Sequence, residues 1–487
     1  MNKLTSNVFI TTSIPYINGD PHIGHTYELV SADVLARYAR QQGKKVILST
    51  GTDEHGGKIQ EEAEKQSKPT KQYADDMSAR WRELGPLVNM SNDRFIRTTD
   101  PGHEQRATLI WKALEKYIYK GKYTGWYCTG CEAFVTESVA KENSGACPIH
   151  QRPYEKLEEE NYFFKLSSFA EKIAEAIETN SYKVIPVTRK NEILHILKEG
   201  LEDTSISRPK DKISWGIPVP GDTKQVMYVW FEALMNYITV LGYPEHADFK
   251  DFWPADYHVI GKDITRFHAL VWPGILLGLG VELPKTLYVH GFINIDGQKV
   301  SKSLGNVIHP KQVVDIHGVD ALRYFVLRHT PAYGDGDFTF KKFEDAYNNE
   351  LANELGNAVS RTQAMIKNYQ KGVIGDIPPA EHDAAMYHEH LQECRFDKAL
   401  DEVWGQIRGL NQYIEEQKPW EAAKKKEYDH LGEMLAYMAS CLLEIADMLV
   451  PFLPDTASKI KSIFETGMIK EQTSVLFPKT ETTQPKT

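Results

Sequence analysis

"SIPYINGDPHIGH" occupies residues 13–25, and the way it is read decides the fold. Before it stands the β-branched, apolar run "VFITT" (8–12), and after it "TYELVSADVLARYARQQG" (26–43). The first run fits a strand. The second carries apolar residues at helical spacing and predicts an amphipathic helix over 26–42, closed by Gly43. The quoted stretch is thus a strand-to-helix loop holding two prolines, two glycines and two histidines. Backbone N–H groups and the helix dipole at such a junction suit a phosphate. His22 and His25 would donate hydrogen bonds to it, and Gly24 would let a nucleotide approach the backbone closely. Taken alone, H-x-G-H reads equally well as a helix cap.

Outward from the loop, "KVILST" (45–50) predicts a second strand, followed by the polar loop "GTDEHGGK" (51–58). Helical patterns run through 74–84 and 104–118. Alternating strands and helices imply a parallel sheet with helices on its faces and ligands beyond the carboxyl ends of its strands. From about residue 121 the pattern breaks into short pieces rich in Gly, Cys, Tyr and Glu, ending near "SWGIPVPGD" (214–222), where Pro218 and Pro220 exclude helix. Alternation then resumes with 228–238, "YHVIGK" (257–262) and 266–280. Residues 121–225 therefore read as an insertion within one α/β domain. From about 344 to 467 nearly everything is amphipathic helix, broken at "GVIGDIPPAEH" (372–382), and the end of the chain is polar.

At 487 residues the chain exceeds what one core supports. A net charge of −10 argues against a general nucleic-acid coat but leaves room for a local basic groove. No stretch is apolar enough to span a membrane and "MNKLTSN" has no secretory core, so the expected compartment is the cytoplasm. Five cysteines, three of them within twenty residues, argue against a disulfide framework and for a metal. "CTGC" (128–131) and "CPIH" (147–150) supply C-x2-C and C-x2-H. Cys128, Cys131, Cys147 and His150 would close a tetrahedral structural zinc site with no open position. A redox C-x-x-C with an unrelated third cysteine is the alternative.

A second basic loop, "DGQKVSKS" (296–303), sets Lys299 and Lys302 around Val300 and Ser301. Two lysines with hydroxyls suit a polyphosphate, although such a run alone is often a solvated surface loop. Paired with "PHIGH" (21–25), "KVSKS" (299–303) resembles the two signatures of class I aminoacyl-tRNA synthetases. "TGTDEHG" (50–56), "SWGIPVPG" (214–221), "YVWFEA" (228–233) and "GKDITRFHALVWP" (261–273) extend the resemblance over nearly the whole chain, to the methionyl-tRNA synthetase family.

That resemblance implies a Rossmann-like parallel-sheet catalytic domain split by a connective insertion with a zinc knuckle, then an α-helical bundle that reads an anticodon. The implied blocks are 1–120, 121–225 (insertion), 226–300, 301–345 (the lysine loop and stem contacts), 346–475 (bundle) and 476–487, a disordered tail. It implies ATP with Mg2+, L-methionine and tRNA(Met) as partners. His22, His25, Lys299 and Lys302 would serve the phosphates, while Gly24, Gly261, Asp263 and Val300 complete the ATP site. Ile14, Tyr16, Trp230, Leu234, Tyr237 and His268 would line the methionine pocket, and Asp53 would pair with the substrate ammonium. In "NELGNAVSRT" (353–362) and "QKPWEAAKK" (417–425), Asn357 and Arg361 lie four apart on one helical face, and Trp420 is placed to stack a splayed base.

Two departures stand out. Val300 replaces the family's usual Met, and "FEALMNY" (231–237) replaces a small or Pro-containing stretch, which bears on the pocket wall near Leu234. The isoleucine, valine and leucine enzymes carry a larger, editing insertion. The cysteine enzyme holds its substrate thiol on zinc, whereas four ligands here are spent on one another. A non-catalytic RNA-binding paralogue would have no use for intact histidines and lysines. With no appended dimerisation module in view, a monomer is expected.

Overall fold

The computed structural model describes residues 7–129, 133–135, 137–149, 151–300, 306–376, 383–469 and 475–479. Its centre is a six-stranded, all-parallel sheet in the order Arg94–Arg97, Lys45–Thr52, Asn7–Thr12, Tyr257–Gly261, Thr286–His290 and Lys183–Ile185. The chain moves outward from Asn7–Thr12 to one edge and later returns to the other side of the same strand, pairing Ile10 with Tyr257. The order of strands therefore reverses between Asn7–Thr12 and Tyr257–Gly261, and a crevice for ligands opens at such a reversal.

Strand residues alternate between two faces. Val259 and Tyr288 pack into the core shared with the signature helix, whereas Ile260, Leu287 and Val289 pack into the second core with Trp272 and the insertion. Burial on both faces explains why these strands read as continuous apolar runs rather than alternating ones.

The helix after the quoted loop runs Ile23–Gln41, starting three residues earlier than its apolar pattern suggested. His22 is its N-cap, so part of what reads as loop is the first helical turn.

The insertion differs from the expected 121–225 block. Its outer part is antiparallel, with Ile118–Cys128 paired along its length with Glu155–Phe164. Residues 183–185, however, rejoin the central sheet as an edge strand parallel to Thr286–His290. A three-residue strand is too short to show periodicity, which is why it was missed.

Beyond the sheet, Ile293–Ile295 and Gly336–Phe338 pair in parallel at the base of the lysine loop. Helices Asn357–Gln370, Phe396–Gln417, Tyr428–Leu449 and Pro454–Phe464 form the C-terminal bundle. The end of the chain is ordered further than expected. Phe477 is buried edge-on against Tyr347, whose hydroxyl donates to the Pro478 carbonyl at 2.9 Å, so the block from 476 does not begin as a free tail.

No described helix is long and apolar enough to cross a membrane.

Candidate active site

At the strand-order reversal lies a cavity of about 360 Å³. Ile14, Tyr16, His22, Gly24, His25, Trp230, Gly261, Asp263, Lys299 and Val300 all line it. A second, narrow cavity of about 20 Å³ adjoins it, lined by Asp53, Leu234, Tyr237 and His268. Ser13, Ile14, Trp230 and Ile264 belong to both walls. Residues that the sequence separates by more than two hundred positions are thus brought to one strand end.

The two histidines do cap the helix. The Gly24 N–H donates to His22 Nδ1, and the His22 N–H donates to His25 Nδ1, both at 3.1 Å. An Nδ1 that accepts places the ring proton of a neutral imidazole on Nε2. Capping and donation through Nε2 are therefore compatible. Enclosure in the cavity wall and the neighbouring His22 push the His25 imidazole well below its ordinary pKa, so it stays neutral. Gly24 is required by these rings as well as by any ligand, because a Cβ there would stand 2.9 Å from His22 Cε1 and Nδ1.

The loops after the first two strands are tied together. Tyr16 and Asp53 form a parallel bridge, the Asp53 N–H donates to the Pro15 carbonyl at 2.9 Å, and Thr98 Oγ1 lies 3.5 Å from the buried Asp53 carboxylate. In the narrow cavity, His268 Nδ1–H donates to the Ile264 carbonyl at 3.0 Å, which leaves Nε2 to accept the Tyr237 hydroxyl at 2.7 Å. Burial pushes His268 down to about 4, so this imidazole is neutral near pH 7. Leu234 is buried in the same wall and makes it apolar. Trp230 stacks on Phe267, with ring centroids 4.2 Å apart and planes 5° from parallel.

Behind the pocket sits a charged cluster that sequence reasoning passed over. Glu232 is fully buried and is met by His55 Nδ1 at 2.8 Å and His103 Nε2 at 2.9 Å. Burial alone would push His55 down. Glu232, with help from Glu104 and Asp53, outweighs it and pushes His55 up to about 10. Glu28 and His290, 3.0 Å apart in the wall of the larger cavity, were passed over too. Glu28 lies one turn beyond His25 on the same helical face, and that spacing was the available signal.

Lys299 is exposed beside the cavity with its ammonium 5.2 Å from the Phe292 ring centre. Lys302 lies outside the described residues, as do Cys131 and His150. Cys128 and Cys147 are both buried in one small cluster with Ala140 and Tyr154. The Gln151 N–H donates to the Cys147 carbonyl at 2.7 Å, and the Cys147 N–H donates to the Arg152 carbonyl at 2.8 Å. No group of three or more potential metal ligands occurs among the described residues. In the bundle, the Arg361 guanidinium lies 5.8 Å from the Trp420 ring centre, and Asn357 is exposed one turn before Arg361.

A family profile described as "tRNA synthetases class I (M)" matches residues 8–156 and 145–363. The chain belongs to the class I tRNA synthetases. It is 44% identical over 477 residues to the methionine–tRNA ligase of Clostridium tetani, spanning 94% of this chain and 74% of that protein. Against the methionine–tRNA ligase of Brucella melitensis it is 40% identical over 482 residues, spanning 95% and 93%. The solved Mycobacterium tuberculosis methionyl-tRNA synthetase in complex with methionyl-adenylate superposes with a TM-score of 0.89 at 32% identity, covering 97% of this chain and all of that one. Within its class, the chain is a member of the methionyl-tRNA synthetase family.

Proposed function

We propose that the chain is a methionine–tRNA ligase. It activates L-methionine with ATP to methionyl-adenylate and pyrophosphate, then transfers the methionyl group to the 3′-terminal ribose of tRNA(Met). The observation that carries this reading is the pair of adjoining cavities that share Ser13, Ile14, Trp230 and Ile264. The larger sets His22, His25, Asp263 and Lys299 into an otherwise mostly apolar wall, polar groups that a nucleotide's phosphates and ribose can use. The smaller has an apolar and aromatic wall suited to a thioether.

In the first step a methionine carboxylate oxygen attacks the α-phosphorus, and the bond to the pyrophosphate oxygen breaks. Such a reaction asks mainly for positioning and charge stabilisation from the protein. Asp53 pairs with the ammonium. The Nε2–H donors of His22 and His25, reinforced by the positive end of the helix Ile23–Gln41, hold phosphate oxygens. Lys299 and Lys302 neutralise charge moving onto the leaving group, and Mg2+ accompanies the ATP. Gly261, Asp263 and Val300 take the adenosine. Ile14, Tyr16, Trp230, Leu234, Tyr237 and His268 enclose the methionine side chain. Asn357, Arg361 and Trp420 read the anticodon, a role supported by the proximity of the Arg361 guanidinium and the Trp420 ring.

Cys128, Cys131, Cys147 and His150 would hold one structural zinc. Thiolate and imidazole donors suit that ion, and the burial of Cys128 and Cys147 in one cluster supports the site. We place the protein in the cytoplasm as a monomer.

Methionine-dependent ATP–pyrophosphate exchange tests the reading. Exchange driven by another amino acid would overturn the specificity. Folded protein with no exchange at all would favour a non-catalytic RNA-binding role.

A further inference from the structure

Glu28 sits where the two halves of the site meet. Its Oε1 accepts both the Ser13 N–H at 2.7 Å and the Ser13 hydroxyl at 2.5 Å, while its Oε2 lies 3.0 Å from His290 Nε2. The other ring nitrogen, His290 Nδ1, lies 2.7 Å from the Gly291 carbonyl oxygen. A carbonyl oxygen can only accept, so Nδ1 carries a proton. An ionised carboxylate can also only accept, so Nε2 carries one as well. With an ionised Glu28 both ring nitrogens of His290 are donors, and both residues line the larger cavity.

The pair joins two loops of different origin. Ser13 leads into Ile14, shared by both cavities, and His290 leads through Gly291 to Phe292 and Ile293 on the nucleotide side. Gly291 packs closely on the next loop, since a Cβ there would lie 2.0 Å from the Gly334 carbonyl oxygen. The Phe292 N–H is fixed on Asp335 at 2.9 Å. A shift of the carboxylate would therefore move the Ser13 side relative to a nucleotide side that is tethered independently.

We propose that Glu28 and a doubly protonated His290 are positioning residues that set the amino-acid and nucleotide half-sites in register. The groups facing the pair are Tyr27 and Tyr288 around the His290 ring, with His25, Asp263, Tyr237 and His268 as its electrostatic neighbours. This inference rests on the methionine–ATP reading for its kinetics, but the protonation of His290 does not.

Two variants separate shape from charge. In Glu28→Gln the amide oxygen still accepts from Ser13, and its NH2 donates to a His290 that is now neutral. Glu28→Ala loses both contacts. Glu28→Ala should raise the KM for methionine and for ATP together by about tenfold or more in pyrophosphate exchange, whereas Glu28→Gln should stay within about threefold of the parent. Full-length protein with 15N-labelled histidine, at about pH 7.5, should show His290 protonated on both nitrogens in the parent and on one in Glu28→Gln. The His290 signals are assigned by their loss in His290→Asn. Equal damage in the two Glu28 variants, or a rise in only one KM, overturns the positioning role. A singly protonated His290 in the parent overturns the pair itself, whatever the kinetics, while absence of exchange in the parent would count against the ligase reading alone.

Discussion

Arg323 and Asp33 meet at 2.8 Å with neither side chain exposed to solvent. Asp33 belongs to the helix that begins at His22, and also accepts from Arg37 at 2.7 Å and from Ser91. The Arg323 guanidinium spends its remaining donors on backbone, reaching the Pro451 and Phe452 carbonyls between the last two bundle helices and those of Val88 and Asn89 in the catalytic half. One buried cation thus ties the signature helix, the segment before the bundle and the turn between the bundle's last two helices to one another.

Truncating this cation should cost much more than a surface charge would. Arg323→Ala leaves a buried carboxylate and several carbonyls without a donor, a loss of about 3–5 kcal/mol. Urea denaturation checks it, and a change below about 1 kcal/mol would show that water or Arg37 takes over. Burial works against the Asp33 charge, but Arg323, Arg37 and Ser91 outweigh it and hold the carboxyl below its ordinary range. Its contribution is therefore present above about pH 4 and fades as pH falls through the lowered value.

Methionine should displace an aromatic ring. The cavity of about 20 Å³ has room for roughly one water, while Trp230 lies flat against Phe267. Saturating methionine without ATP should change tryptophan fluorescence, and Trp230→Phe should abolish most of the change. An unchanged signal in the parent, or an equal one in the variant, would count against Trp230 as the moving wall.

Much of the sheet was readable because its strands are β-branched runs bounded by polar loops, and the cavity because both signature loops end at one switch point. What escaped reading was long-range or short. Glu28 and His290 are 262 residues apart, and neither stands out until the sheet brings them together. Arg323 reads as one more charge on an amphipathic helix, yet it is wholly buried. Capping by the histidines was one of the two readings of H-x-G-H, but the apolar pattern begins only at Thr26, so it hides the first turn from Ile23. Phe477 follows Val475 and Leu476 just ahead of the polar end of the chain, and it docks edge-on against Tyr347.

The cluster behind the pocket predicts an alkaline weakness. His55 is raised from an unfolded value of 6.5 to about 10, so its stabilisation is complete below pH 6.5 and is lost as pH rises through about 10. Between pH 6 and pH 9.5 the unfolding free energy of the parent should fall by at least about 1 kcal/mol more than that of His55→Gln. Parallel pH profiles would show that His55 is not held protonated.

Removing zinc should loosen the insertion before the rest. The cluster around Cys128 and Cys147 has only four buried members among the described residues, far too few to hold a lobe without a staple. Chelation should open proteolytic sites between residues 118 and 164 while the central sheet keeps its protection, and metal analysis should return about one zinc per chain. Full activity in a verified zinc-free protein would refute the structural metal.

Gly24→Ala should separate catalysis from folding. The added methyl would stand 2.9 Å from two atoms of the His22 ring, and that ring is held by the Gly24 N–H itself. The helix gains propensity from alanine, so the melting temperature should hold or rise slightly. The imidazole, pushed aside, would no longer aim its Nε2–H at the phosphate oxygens it is proposed to hold. Loss of one preorganised donor lowers a rate on the order of 10²-fold. Single-turnover adenylate formation should fall by about that factor with methionine affinity nearly unchanged, because Asp53, Tyr237 and His268 lie in the other cavity. If methionine affinity falls in step with the rate, the glycine is serving the fold of the whole loop, and the assignment of His22 to the phosphates fails with it.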